Sequence, residues 1–176
     1  FAALKEDGSV VTWGKDSGGG DSLYVNGVFY KESDQLSSGV SDICSSYKAF
    51  LALKDDGSVV AWGDDSHEGF GWPLDDRLSS GVSKIYANNW SFVAIKEDGS
   101  AITWGASPYG GNSSKVADQL TSGVSKIFAN NQTFAALKED GSVVTWGEND
   151  FSVSGADSSA VSNQLSSGVR TIVSGF

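Results

Sequence analysis

An adjacent pair of carboxylates precedes Gly-Ser at four places in this chain: Glu6-Asp7, Asp55-Asp56, Glu97-Asp98 and Glu139-Asp140. Neighbouring carboxylates can share general-acid and general-base work, or supply oxygen ligands to a hard cation. The local pattern argues against both. A calcium loop of the EF-hand kind needs ligands at alternate positions and a closing glutamate, which these segments lack. A solvated turn accounts for them. His67, in "DDSHEG", is the single histidine, so a multi-histidine metal site is excluded and a triad would depend on it alone. Cys44, in "SDICSSY", is the single cysteine; it cannot form an internal disulfide and reads as a small buried apolar residue. Trp13, Trp62, Trp104 and Trp146 recur at one register, which suits packing between repeated units better than light absorption. The expectation is a protein without catalytic residues, metal or cofactor.

The elements that carry these residues repeat. "FAALKEDGSVVTWG" opens the chain at Phe1 and returns unchanged at Phe134; looser copies start at Phe50 and Phe92. Self-similarity at a period of 20 to 50 residues marks solenoids, propellers or arrays. Within each copy the pattern is β. "VSDICS" and "VSKIFA" alternate apolar and polar residues with period two, as a half-buried strand does. An apolar run follows, then Asp-Gly, then "SVVTW" or "SAITW". Asp-Gly between two apolar runs is a strong hairpin signal, because Gly8, Gly57, Gly99 and Gly141 reach positive φ without steric cost. That gives three strands per copy, with a fourth expected in the serine-rich segment, as in "NSSKVADQL" (112–120). The fold class is all-β: propeller blades of three to four antiparallel strands, apolar on both sides because neighbouring blades cover each face. The repeats run approximately over 1–49, 50–91, 92–133 and 134–176 of one unit spanning 1–176.

The run A-L-x-x-D-G-x-V-x-x-W-G resembles the repeats of the regulator of chromosome condensation family, at Ala3-Leu4, Asp7-Gly8 and Trp13-Gly14 and at the matching later positions. The resemblance spans all four copies and implies a β-propeller, usually of seven blades. The chain departs from the family elsewhere. Where a histidine often precedes the Ala-Leu strand, Ala49, Ser91 and Thr133 stand. "GGDS", "GGNSS" and "GADSS" replace the usual Asn-x-x-Gly-Gln-Leu-Gly. No residue matches those needed for the family's nucleotide-exchange or chromatin roles. With four copies, no methionine and Phe1 at the start, the chain is expected to be part of a larger propeller; closure into a small ring, with "SSGVRTIVSGF" supplying the missing first strand, is the alternative.

Length differences among repeats usually mark loops on one face, often the binding face. They fall here between Trp-Gly and the segment leading to Ser-Gly-Val. "SLYVNGVFYK" (22–31) reads as a hairpin about Asn26-Gly27. Exposed aromatics on it would be costly unless a surface covers them. Tyr24, Val25, Phe29 and Tyr30 are therefore candidate partner contacts, the bland reading being a hairpin that lengthens its own blade. Phe70 and Trp72, in "HEGFGWPLDD", are a second candidate pair.

Composition narrows the partners. With 22 acidic against 12 basic residues and a net charge of −10, the chain lacks the clustered Lys and Arg that grip phosphate backbones, so nucleic acid is not expected. No apolar run is long enough to span a membrane. The leading expectation is a non-enzymatic scaffold that presents variable loops to a protein partner in a larger assembly. A small-GTPase regulator, by family resemblance alone, and a cell-surface repeat protein are the alternatives. Asn89-Trp90-Ser91, Asn112-Ser113-Ser114 and Asn131-Gln132-Thr133 are glycosylation sequons but do not decide the compartment.

Overall fold

The structure is a computed structural model that describes residues 1–14, 34–63, 74–147 and 156–175, and the backbone of 24–25 and 28–29. Its described residues form four antiparallel sheets. The first pairs β1 (Ala2–Leu4) with β2 (Val10–Thr12). The second contains β3 (Tyr24–Val25) and β4 (Val28–Phe29), then β5 (Val40–Ser45), β6 (Ala49–Lys54) and β7 (Val59–Gly63), in the order β4-β3-β7-β6-β5. The third is β8 (Val82–Ala87), β9 (Ser91–Lys96) and β10 (Ala101–Gly105). The fourth is β11 (Val124–Ala129), β12 (Thr133–Lys138) and β13 (Val143–Gly147).

The period-two pattern decides how the sheets stack. Along β6, Ala49, Leu51 and Leu53 pack toward the third sheet with Phe92, Ala94, Ile102 and Trp104. Phe50 and Ala52, on the other face, pack with Ala2, Leu4, Val10 and Trp62 between the first and second sheets. Val93 and Ile95 meet Phe134, Ala136, Val144 and Trp146 between the third and fourth. The central strands β6 and β9 thus hide both faces, and each buried large side chain contributes about 1.5–3 kcal/mol. The repeated tryptophan always points toward the preceding sheet. Trp62, Trp104 and Trp146 are buried there, whereas Trp13, on the outward face of the first sheet, is 51% exposed beside Phe1 and Val11.

Adjacent sheets are stapled where Ser-Gly-Val meets the preceding Asp-Gly turn. Val82 N–H donates to the Gly57 carbonyl at 2.9 Å, and Glu97 N–H to that of Gly81 at 2.9 Å; the same pair recurs at Val124, Gly99, Glu139 and Gly123. A lysine recurring at one register reinforces each joint. Lys96 Nζ donates to the carbonyls of Arg77 and Ser80, Lys54 Nζ to those of Gln35 and Ser38, and Lys138 Nζ to that of Gln119. Lys5 instead pairs with Asp7 at 2.9 Å.

Three expectations are corrected. The segment 112–120 is not a strand: Ser114–Leu120 forms a 3-10 helix. Asn112 Oδ1 accepts the Ser114 N–H at 2.9 Å, and such local side-chain bonds offer the backbone an alternative to a sheet ladder. The hairpin around 24–29 forms with Tyr24 opposite Phe29, but it lengthens the second repeat's sheet rather than its own, through Val25 opposite Trp62. Residues 168–175 carry no strand assignment; Val169 N–H reaches the Gly141 carbonyl at 3.0 Å, as its counterparts do, but no described strand lies alongside to complete a ladder.

Candidate interaction surface

The hairpin geometry separates two ends of the array. One end gathers the Asp-Gly turns. The other gathers the turns joining the first two strands of a sheet (45–49, 87–91 and 129–133) and the linkers that leave after Trp-Gly.

At the Asp-Gly end the acidic pairs are turns. Asp98 Oδ1 accepts the Ser100 N–H at 2.9 Å and its hydroxyl at 2.7 Å; Asp56 with Ser58 and Asp140 with Ser142 do the same. These bonds, the serine hydroxyl first, pull all three carboxyls below the usual range. Asp7 is lowered by Ser9 and then Lys5. Each of these carboxylates engages one oxygen in its own turn, and among the described residues no group of three or more His, Cys, Asp and Glu could hold a metal. Cys44 is equally inert: burial pushes its thiol far above the ordinary value, and Asp42 adds to the effect.

The opposite end is built for presentation. Glycine follows the repeated tryptophan because the chain turns against the neighbouring hairpin: at Gly105 (φ +110°) a Cβ would lie 2.6 Å from Ser91 Cα and 2.8 Å from the Trp90 carbonyl oxygen. Buried Asn88 organises the rest. Its Oδ1 accepts the N–H of Trp90 (2.8 Å) and Ser91 (2.7 Å), and its Nδ2 donates to the Tyr109 carbonyl at 2.7 Å. Ala106 N–H and the Ser91 hydroxyl close the linker onto the turn, donating to the carbonyls of Trp90 and Ala106 respectively.

This scaffold holds three aromatic rings in a row. Tyr47 stacks on Trp90 with centroids 5.8 Å apart, and Trp90 meets Tyr109 at 5.5 Å. Tyr47 N–H donates to the Asn89 carbonyl at 2.9 Å, tying the second sheet's turn to the third's. Tyr47 is 70% exposed; Trp90 and Tyr109 are half-buried.

The residues singled out from sequence distribute as follows. Trp62, Trp104 and Trp146 lie between sheets, each stacked on the phenylalanine opposite (Phe50, Phe92, Phe134) at 5.3–5.6 Å; Trp13 stacks on Phe1 at 5.5 Å. Gly8, Gly57, Gly99 and Gly141 sit at φ +74° to +79° in the Asp-Gly turns. Tyr24, Val25 and Phe29 lie in the backbone of the β3–β4 hairpin, at the Trp-Gly end of β7. Tyr30, Phe70 and Trp72 lie outside the described residues. The row of Tyr47, Trp90 and Tyr109 escaped sequence reasoning. Tyr47 aligns with Asn89 rather than with Trp90, and Tyr109 belongs to a linker, so no periodicity joins them.

Residues 124–152 match the family model described as Regulator of chromosome condensation (RCC1) repeat. That match covers one repeat, and the sheets have the fold of blades of an RCC1-like propeller. No curated protein matches the sequence. Among solved structures, human WBSCR16 is 18% identical, with a TM-score of 0.55, over 84% of this chain and 45% of its own. Yeast RCC1 (Prp20) bound to Kap60 is 19% identical, with a TM-score of 0.49, over 63% of this chain and 30% of its own. Prp20p from Saccharomyces cerevisiae, described with its binding properties to Gsp1p and histones, is 20% identical, with a TM-score of 0.49, over 63% and 31%. The chain thus spans less than half the length of these structures, and at such identities the likeness is one of fold.

Proposed function

We propose that this chain is a non-enzymatic interaction module that presents its linker end to a protein partner. The observation that carries the reading is the Tyr47–Trp90–Tyr109 row: a rigidly held, partly exposed aromatic surface on the end from which the variable segments leave. Aromatic residues on preorganised scaffolds supply large contact area at low entropic cost. Tyr24, Val25, Phe29 and Tyr30, with Phe70 and Trp72, are proposed as further partner contacts. The outward apolar face at Phe1, Val11 and Trp13 is the kind that a further blade would cover, which favours a larger propeller.

A photoreactive residue placed at Tyr47, with a second at Ser79 on the opposite end as control, tests the reading in cells. Crosslinks to a protein partner from position 47 and not from 79 are expected; none from 47, or equal yields from both, would count against it. Deleting 23–30 should weaken that association and, because Val25 pairs with Trp62, lower the stability of the second sheet while leaving the other sheets folded. The exchange-factor alternative rests on repeat resemblance alone, and acceleration of nucleotide release from a small GTPase would displace the scaffold reading. A cell-surface role would appear as glycans on Asn89, Asn112 or Asn131, all exposed.

A further inference from the structure

We infer that this chain pairs head to tail with a second copy of itself. The fourth sheet and residues 169–174 of each molecule take the first sheet of the other, and the two together close a ring of blades. The inference goes beyond the linker-end reading and does not depend on it.

The two outward sheet faces are the two halves of a joint already present in the molecule. Between the first and second sheets, Ala2, Leu4 and Val10 meet Phe50, Ala52, Val60 and Trp62. The outward face of the first sheet repeats the second half of that joint in the same residue types. Phe1, Ala3, Val11 and Trp13 stand in the register that sets Phe50 opposite Trp62 and Ala52 opposite Val60. The outward face of the fourth sheet repeats the first half. Residues 134–147 are identical to 1–14, so Ala135, Leu137 and Val143 take the places of Ala2, Leu4 and Val10. Trp62 is fully buried in the joint that forms, whereas its counterpart Trp13 is 51% exposed. Ala135 and Val143 line an open groove with Ile172 and Val173. Apolar faces of this kind mark an interaction surface, and here each has its complement on the same chain.

The strands are complementary as well. The first sheet holds β1 and β2, and among the described residues no strand lies on β1 where β5, β8 and β11 lie on their neighbours. Residues 169–174, Val-Arg-Thr-Ile-Val-Ser, align with β11 and are set down as its equivalent. Val169 N–H donates to the Gly141 carbonyl at 3.0 Å, as Val124 N–H does to that of Gly99 at 2.8 Å, and the Ser174 hydroxyl donates to the Ala129 carbonyl at 2.8 Å. An open strand edge takes a strand from another chain through main-chain bonds. The register is fixed by precedent. β11 sets Ile127, Phe128 and Ala129 opposite Ala136, Ala135 and Phe134. The same register sets Ile172, Val173 and Ser174 opposite Ala3, Ala2 and Phe1 of the second molecule. The lysine of the joint follows suit. Lys54 and Lys138 bond carbonyls of a preceding Gln-Leu segment, while Lys5 bonds its own Asp7. Gln164-Leu165-Ser166-Ser167-Gly168 is the fourth such segment, placed to receive Lys5 of the second molecule.

Two molecules are the number that closes. Head-to-tail joints end in a ring or run on as a filament, and propellers close at roughly four to eight blades. Each molecule brings three complete blades and the two parts of a fourth. A pair therefore makes eight, with both joints alike, and a third molecule would overshoot. Closure of one chain on itself would bury Phe1 and Val11, which are 75% and 51% exposed.

The test uses the full chain. Sedimentation equilibrium at about 10 µM should find a two-chain species. Val11→Lys and Val173→Asp, at exposed positions on opposite halves of the joint, should each weaken the pair about tenfold or more and leave the far-ultraviolet dichroism unchanged. An Ala2→Cys chain mixed with a Val173→Cys chain should form a disulfide between the two on mild oxidation; Cys44, its thiol suppressed by burial, takes no part. A single chain persisting at about 100 µM, a pair indifferent to either substitution, or species that grow beyond two chains would each overturn the inference. So would a disulfide that closes within one molecule when a chain carries both cysteines. A partner crosslinked from position 47 bears on the linker end alone, so the two readings fail separately.

Discussion

Trp146 in the fourth sheet donates its indole N–H to the carbonyl of Gly110, in the linker that leaves the third sheet, at 3.0 Å. The same linker passes so close to the Phe134 ring that a Cβ on Gly110 would lie 2.6 Å from it. The β3–β4 hairpin, from the linker after the first sheet, likewise lies along β7 of the second. Each of these two linkers therefore braces the sheet that follows it. Trp146→Phe keeps the stack on Phe134 but strands a buried carbonyl, and should cost about 2 kcal/mol. Urea unfolding reads this as a lowered midpoint at unchanged slope, and proteolysis in 106–113 should accelerate. An unmoved midpoint would mean that the bond contributes nothing net.

The glycines of the Asp-Gly turns are required for two reasons that one pair of variants separates. Gly57 and Gly168 share φ +76°, yet a Cβ on Gly57 would lie 2.7 Å from Gly81 N, while one on Gly168 would meet nothing within 4 Å. Gly168→Ala should cost about 1 kcal/mol, the penalty of a left-handed backbone. Gly57→Ala adds a collision with backbone that cannot rotate away and should cost at least about 3 kcal/mol. Equal losses in thermal unfolding would refute the steric half of the argument.

The hairpins were legible because their signals are local. Asp-Gly turns and period-two alternation sit within about ten residues, and apolar residues on both faces of "FLAL" implied sheets stacked on either side. What was not legible depends on contacts between repeats. "SLYVNGVFYK" declares a hairpin, but only the crossing of the linker makes it the edge of the next sheet. "NSSKVADQL" is serine-rich and holds no period-two alternation, and the Asn112 side chain engages the Ser114 N–H at the start of a 3-10 helix there. Tyr47, Trp90 and Tyr109 occupy three non-equivalent positions, so the tandem pattern that reveals the core hides the surface.

Lys96 should matter out of proportion to its exposure. Its ammonium bridges the carbonyls of Arg77 and Ser80, capping the 3-10 turn (Asp76–Leu78) that seats buried Leu78 between the second and third sheets. Lys96→Met keeps the aliphatic stem and deletes the donors. Partial solvation discounts the loss to about 1 kcal/mol. Hydrogen exchange should localise the effect, with the Leu78 and Ser79 amides, which donate to Asp75 and Asp76, losing protection before any strand does. Uniform loss across the third sheet would instead assign Lys96 to global stability.

Acid should loosen the Asp-Gly turns in a way that one substitution can isolate. Asp98 is held below the ordinary carboxylate value by the Ser100 hydroxyl and N–H. Its folded pKa therefore lies beneath its unfolded one, so the unfolded chain takes up the proton first. The contribution of this turn is present above the ordinary value, about 4, and disappears as pH falls through the lowered one. Being fully exposed, it should be seen locally and not in the unfolding midpoint. The Ser100 amide shift, followed by NMR from pH 6 down to about 2, should titrate with a midpoint below 3.8, and so should that of Ser142 beside Asp140. Asp98→Asn retains an acceptor that cannot ionise; it should flatten the Ser100 curve and leave that of Ser142 intact. A Ser100 midpoint at the ordinary carboxylate value would show that the turn bonds exert no hold on the charge.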